Sequence, residues 1–166
     1  GQALPLDWSE SKNVIWKTEI PGRGHGSPIV VGDRVILPTS DENKKTQSVL
    51  CLNRSTGKLL WTTQIHRGGF MRLNKKGTHA SGSPASDGKR LYVNFLNAGA
   101  AHTTALSMEG KILWQTKITD YVVHQAYASS PALHGENLLI VAADNKKSGA
   151  LACLNRTDGK IIWKVG

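Results

Sequence analysis

Only two cysteines occur in 166 residues, and no apolar run approaches the ~20 residues that a membrane-spanning helix requires. Cys51 and Cys153 hold the same position of two repeated phrases, so they fall on equivalent strands with a whole repeat between them. Bridged cysteines need Cα atoms within about 7 Å, which argues against a disulfide and leaves each as a small buried apolar residue. Helical periodicity is missing throughout. So are defensible paired carboxylates, a Ser-His-Asp order, a phosphate loop and a compact metal motif, and no catalytic or metal-ligating residue is assigned. Acidic side chains are also short: 12 Asp and Glu face 21 Lys and Arg, leaving a formal net charge of +9.

What the chain does hold is a repeat. Trp16, Trp61, Trp114 and Trp163 follow one another at intervals of 45, 53 and 49 residues. Three of them close the phrases CLNRSTGKLLW (51–61), ALSMEGKILW (105–114) and CLNRTDGKIIW (153–163), and Ser-Pro at 27–28, 83–84 and 130–131 runs in step. Periods of roughly 40 to 50 residues mark stacked supersecondary units.

Inside each unit the period is two. The first reads SPIVV (27–31), RVILPT (34–39), QSVLCLN (47–53) and KLLWTTQI (58–65), four short strands separated by Gly, Asp and Asn turns. Four antiparallel strands per unit without a helix describe an all-β propeller of four-stranded antiparallel blades. The expected division is an N-terminal segment, 1–20, with the outer strand NVIWKTEI (13–20), then blades at 21–65, 66–118 and 119–166. Three blades and one extra strand do not close a ring, so the expectation is a portion of a larger propeller, or a subunit that closes by self-association.

The Gly-Lys-x-x-Trp phrase has a physical role in such an array. Glycine at the turn (Gly57, Gly110, Gly159) lets an aromatic ring from a neighbouring blade approach the backbone, and the outer-strand tryptophan supplies the flat surface to bury. Trp16, Trp61, Trp114 and Trp163 are therefore read as structural docking residues.

These phrases resemble the tryptophan-docking motif of the pyrroloquinoline-quinone (PQQ)-type propeller repeats, Ala-x-Asp-x-x-Thr-Gly-Lys-x-x-Trp. The opening LPLDWSESKNVIWKTEIPGRGHGSPIVVGDRVIL (4–37) is similar to the start of large bacterial PQQ-like propeller proteins. Cys51 and Cys153 stand where the motif has alanine, and Asn53 and Asn155 where it has aspartate, with Ser107 there in the shortened phrase. The resemblance implies a ring of about eight blades, of which this is the N-terminal three-blade portion, and a periplasmic or secreted location. Quinone-dependent alcohol enzymes of the family also use adjacent cysteines; no Cys-Cys pair is present, and no cofactor ligand can be matched residue by residue. Two functions follow from the resemblance: a non-catalytic scaffold that binds protein or carbohydrate ligands in the cell envelope with no cofactor in this chain, or the N-terminal part of a quinoprotein dehydrogenase holding PQQ with calcium.

Ligand-binding candidates come from the segments before the Ser-Pro markers. His25, His79 and His124 precede Ser27, Ser83 and Ser130 by two, four and six residues. Even offsets place three rings on one side of an extended chain near the central channel, where they would bind a metal or, with Arg23, an anion; the alternative is loop packing. Gln125 and Tyr127, in TDYVVHQAY (119–127), are candidates as a polar and aromatic connector; the alternative is a connector that packs its aromatics on the blade edge. Lys-Lys pairs at 44–45, 75–76 and 146–147 are expected in solvated turns, or as a basic rim attracting acidic polymers. Nucleic-acid binding is not expected, because only Phe70 interleaves with these basic stretches.

Overall fold

The computed structural model describes residues 5–122, 126–143 and 149–166, and its strands fall into three four-stranded antiparallel sheets. The first blade is β1 (Ile29–Val31), β2 (Arg34–Asp41), β3 (Thr46–Asn53) and β4 (Leu59–Arg67). The second is β5 (Ala85–Ser86), β6 (Arg90–Asn97), β7 (Ala100–Ser107) and β8 (Ile112–Asp120). The third is β9 (Ala132–His134), β10 (Leu138–Ala143), β11 (Ala150–Asn155) and β12 (Ile161–Val165). No helix among the described residues is long and apolar enough to cross a membrane.

Residues 13–20, read from the sequence as an outer strand, form no ladder here. No strand among the described residues lies alongside to share a ladder, and the segment joins no sheet.

The middle blade is buried on both faces, which explains why RLYVNFLN reads as a nearly continuous run instead of an alternating one. Leu91, Val93 and Phe95 pack with Ile36, Val49 and Cys51 of the first blade. Their strand neighbours Tyr92 and Leu96 turn the other way, onto Leu139, Val141, Ala152 and Leu154 of the third. Each such side chain contributes about 1.5–3 kcal/mol when fully buried. Cys51 and Cys153 are buried free thiols in two different sheets.

Tryptophan docking supplies the outer part of each seam. Trp61 Nε1 donates to the Met108 carbonyl at 3.0 Å, and Thr63 Oγ1 donates to the Gly110 carbonyl at 2.6 Å. One blade on, Trp114 Nε1 donates to Arg156 O at 3.0 Å and Thr116 Oγ1 to Gly159 O at 2.7 Å. Trp16 and Thr18 make the same pair of bonds to Arg54 O and Gly57 O, at 2.7 and 2.8 Å. Segment 13–20 is thus held by its side chains instead of a ladder.

The glycines have no room for a side chain. A Cβ on Gly110 would stand 2.7 Å from Trp61 Cδ2, and one on Gly159 would stand 2.5 Å from Trp114 Cε3. Both also adopt φ values, +86° and +73°, that favour glycine. Just ahead of each tryptophan the ladder slips register, at Cys51/Leu52, Ala105/Leu106 and Cys153/Leu154. Such a bulge bends the outer strand and re-aims its side chains.

The Ser-Pro markers form an inner counterpart. Ser27 N–H donates to Ser83 Oγ at 2.8 Å, and Ser83 N–H to Ser130 Oγ at 2.9 Å. The blades are therefore stitched near the innermost strands as well as at the outermost.

Candidate functional site on the connector face

The strands have two unlike ends. The docking turns (53–58, 107–111, 155–160) occupy one, while the β2–β3 hairpin and the segments leading into each innermost strand occupy the other. At the latter end two adjoining clefts open among the connectors. One, of about 650 Å³, is lined by His25, Lys76, Ser81 and Ala128 among others; the second, of about 400 Å³, by Arg23, Glu42, Lys45, Phe70, Arg72, Lys75 and His79. Asn74 and Gly77 border both.

The smaller cleft is assembled from three segments, each anchored by the backbone. Arg23 is held against β2 by reciprocal bonds with Ser40, both 2.9 Å. The hairpin turns through Lys45, a non-glycine residue at φ +55°, with the Asp41 carboxylate accepting from the Asn43 and Lys44 amides. The Lys44 amide, with lesser help from that of Asn43 and the Lys44 ammonium, holds the Asp41 carboxyl below the usual range. Loop 68–78 is fastened by His79, whose ring stacks on Phe70 at 4.0 Å.

His79 is fully committed. Its Nδ1 lies 2.8 Å from Glu42 Oε1 and its Nε2 lies 2.9 Å from the Met71 carbonyl. A carbonyl only accepts, so Nε2 carries a hydrogen. Neither ring nitrogen remains for a metal, and among the described residues no three His, Cys, Asp or Glu side chains are grouped to hold one.

The other candidate residues are placed as follows. Arg23 and His79 share the smaller cleft, and His25 lines the larger one, exposed, with its amide donating to Ala80 O at 2.9 Å. Tyr127 is 5% exposed, packs in the second seam, and its hydroxyl donates to Ala142 O at 3.1 Å. Burial, then the neighbouring Tyr121, pushes its hydroxyl pKa up. His124 and Gln125, like the Lys146–Lys147 pair, lie outside the described residues. Lys45 and Lys75 are exposed and border the cleft, while Lys44 pairs with Asp41 at 3.6 Å.

Sequence reasoning missed His66 and His102, which meet in the first seam at 5.2 Å between ring centroids. His66 Nδ1 lies 2.9 Å from Gln47 Oε1, an acceptor that also takes the Asn97 amide at 3.2 Å. Burial, then the His102 charge, lowers His66 to about 4, while Gln115 beside it partly offsets the shift. Burial lowers His102 as well. It also missed Thr18, Thr63 and Thr116, though Trp-x-Thr is plain in the sequence once the docking bond is known.

A family model described as "Outer membrane protein assembly factor BamB", of PQQ-like repeats, matches residues 45–166. The chain belongs to this PQQ-like propeller family. Among characterised proteins, the polyvinylalcohol dehydrogenase of a Pseudomonas species is 26% identical to it over 165 residues, 92% of this PQQ-like chain. That stretch is 24% of the dehydrogenase, so the chain spans about a quarter of its relative's length. Three solved structures share the fold. A europium-containing methanol dehydrogenase superposes with a TM-score of 0.61 at 15% identity, over 90% of this chain and 26% of that one. The quinohemoprotein alcohol dehydrogenase of Comamonas testosteroni gives 0.60 at 16%, over 87% and 21%. BamB from Moraxella catarrhalis gives 0.54 at 14%, over 94% and 56%.

Proposed function

We propose that this PQQ-like chain is a non-catalytic scaffold of the cell envelope, presenting a ligand-binding face at the connector ends of its blades. The observation that carries the reading is the pair of adjoining clefts on rigid walls: loops anchored to sheet backbone enclose about 400 and 650 Å³ and line them with donors. Propellers commonly place ligands on such loops. The ligand is a protein or carbohydrate, and the location is periplasmic or secreted, in line with the family's description as an outer membrane assembly factor. Further blades are its structural neighbours. Ile162, Trp163 and Val165 of β12 stand exposed, an apolar outer strand of the kind that Trp61 and Trp114 bury between blades. Light scattering on the chain would show association beyond the monomer; a compact, non-associating monomer contradicts this packing surface.

The dehydrogenase among its relatives favours a second reading, that the chain forms part of a quinoprotein dehydrogenase. The described residues do not themselves fit a quinone with calcium. Trp16, Trp61 and Trp114, which could stack on a flat cofactor, are docked on turns at the far end of the strands, and no quinone chemistry is assigned to this chain's residues. The two readings separate on the longest natural chain incubated with quinone and calcium, followed by dye-linked alcohol oxidation. The scaffold reading expects no turnover above background; quinone-dependent turnover overturns it.

A further inference from the structure

The smaller cleft has a charge imbalance that the fold does not use. Arg23, Lys45, Arg72 and Lys75 line it, and none has a carboxylate within ion-pair distance among the described residues. The one acidic lining residue, Glu42, is bound to His79 Nδ1 at 2.8 Å, so a single carboxylate stands against four cationic side chains. Some exposed lysines elsewhere are paired, Lys44 with Asp41 at 3.6 Å, Lys117 with Asp120 at 2.7 Å and Lys160 with Asp158 at 3.3 Å, while others among the described residues, such as Lys58 and Lys111, stand singly and apart from one another on separate docking turns. Gathering four like charges around one concavity costs self-repulsion that an entering anion removes.

The aromatic component narrows the chemistry. Phe70 is stacked on His79 at 4.0 Å and lies beneath the Lys45 ammonium, 5.6 Å from its ring centre. Already engaged, the ring serves to position a cation and not to stack a base or a sugar. What remains is recognition by charge and N–H donors, with two guanidinium groups able to grip oxyanions through paired bonds.

We propose that this cleft binds a compact oxyanionic group carrying at least two negative charges, a phosphate or a cluster of carboxylates, and so defines the anionic part of the ligand. The proposal takes from the scaffold reading only that the connector face binds a ligand. The chain would be titrated calorimetrically at fixed ionic strength with inorganic pyrophosphate, citrate and acetate. Pyrophosphate or citrate is expected to bind at least ten-fold more tightly than acetate; binding by pyrophosphate alone assigns a phosphate, and binding by both a polycarboxylate-tolerant site. The double variant Arg23→Gln/Arg72→Gln should weaken binding at least ten-fold. Lys58→Gln/Lys111→Gln, which removes two charges from the docking turns at the opposite strand ends, should change it less than two-fold. Lys45→Gln/Lys75→Gln repeats the test should the arginine variant lose its tryptophan fluorescence signature. Equal losses in the cleft and docking-turn variants, no loss in either, or no preference for multivalent anions overturns the proposal. Such a failure leaves the scaffold reading standing, because that reading turns on quinone-dependent turnover.

Discussion

Trp61 and Trp114 dock on successive blades through matching bonds to a carbonyl and a glycine turn, whereas at the opposite strand ends loop 68–78 wraps a cleft that the shorter loop 21–26 does not repeat. The difference follows from what each end must do. A docking turn has to fit the blade before it and be fitted by the blade after, so its residues are fixed in kind and spacing. A connector needs only to be tied down at its ends, and its remaining side chains are free to face a ligand.

The largest test of that comparison is Trp114→Ala. Removing a half-buried indole and its bond to Arg156 O should cost about 3 kcal/mol, the lower end of the range for aromatic truncation, read from urea unfolding. A loss below about 1 kcal/mol would mean that the sheets hold together without docking. Gly110→Ala is next. Its left-handed backbone alone costs roughly 1–2 kcal/mol, and the added methyl meets Trp61. Gly88→Ala, at φ +83° but with open space around it, should carry the backbone cost only, so the difference between the two unfolding free energies isolates docking.

A pH series probes the seam closer to the connectors. The folded state holds His66 at about 4 against an ordinary 6.5, so it binds fewer protons than the unfolded chain between those values. Stability is fully present above about pH 6.5 and declines as pH falls toward 4, and His66→Gln should flatten that decline in urea unfolding at pH 7 and pH 5. The smallest effect belongs to Trp163→Ala. Trp163 is 43% exposed and docks on no turn among the described residues, so thermal unfolding of this chain should stay within about 0.5 kcal/mol of the parent.

Periodicity explains what could be seen in advance. Tryptophan, turn glycine and Ser-Pro recur because each blade meets the same neighbour, so architecture and strand positions were legible from spacing. The threonines were visible but mute, since Trp-x-Thr gains meaning only when Thr63 is found donating to the turn that Trp61 covers. The cleft was legible only in pieces: Arg23, His79 and the lysine pairs stood out singly, but not as one concavity. It is built from three segments that the sequence keeps apart, and nothing in the pair Lys44–Lys45 tells which lysine folds back on Asp41 and which turns over Phe70. Tyr127 left two readings open for a related reason: whether a connector tyrosine faces a ligand or packs on the blade depends on the seam that closes over it.

The periodic bonds between blades all point one way. Indole, threonine hydroxyl and serine amide of each unit donate to carbonyl or hydroxyl oxygens of the unit that follows. The array is therefore polar, like a chain of couplings with a hook in front and an eye behind. A whole repeat can be added or removed without disturbing the fit on either side, but one inserted in reverse would set donor against donor. Such an arrangement fixes the direction of growth while leaving the number of blades to the wedge angle between them.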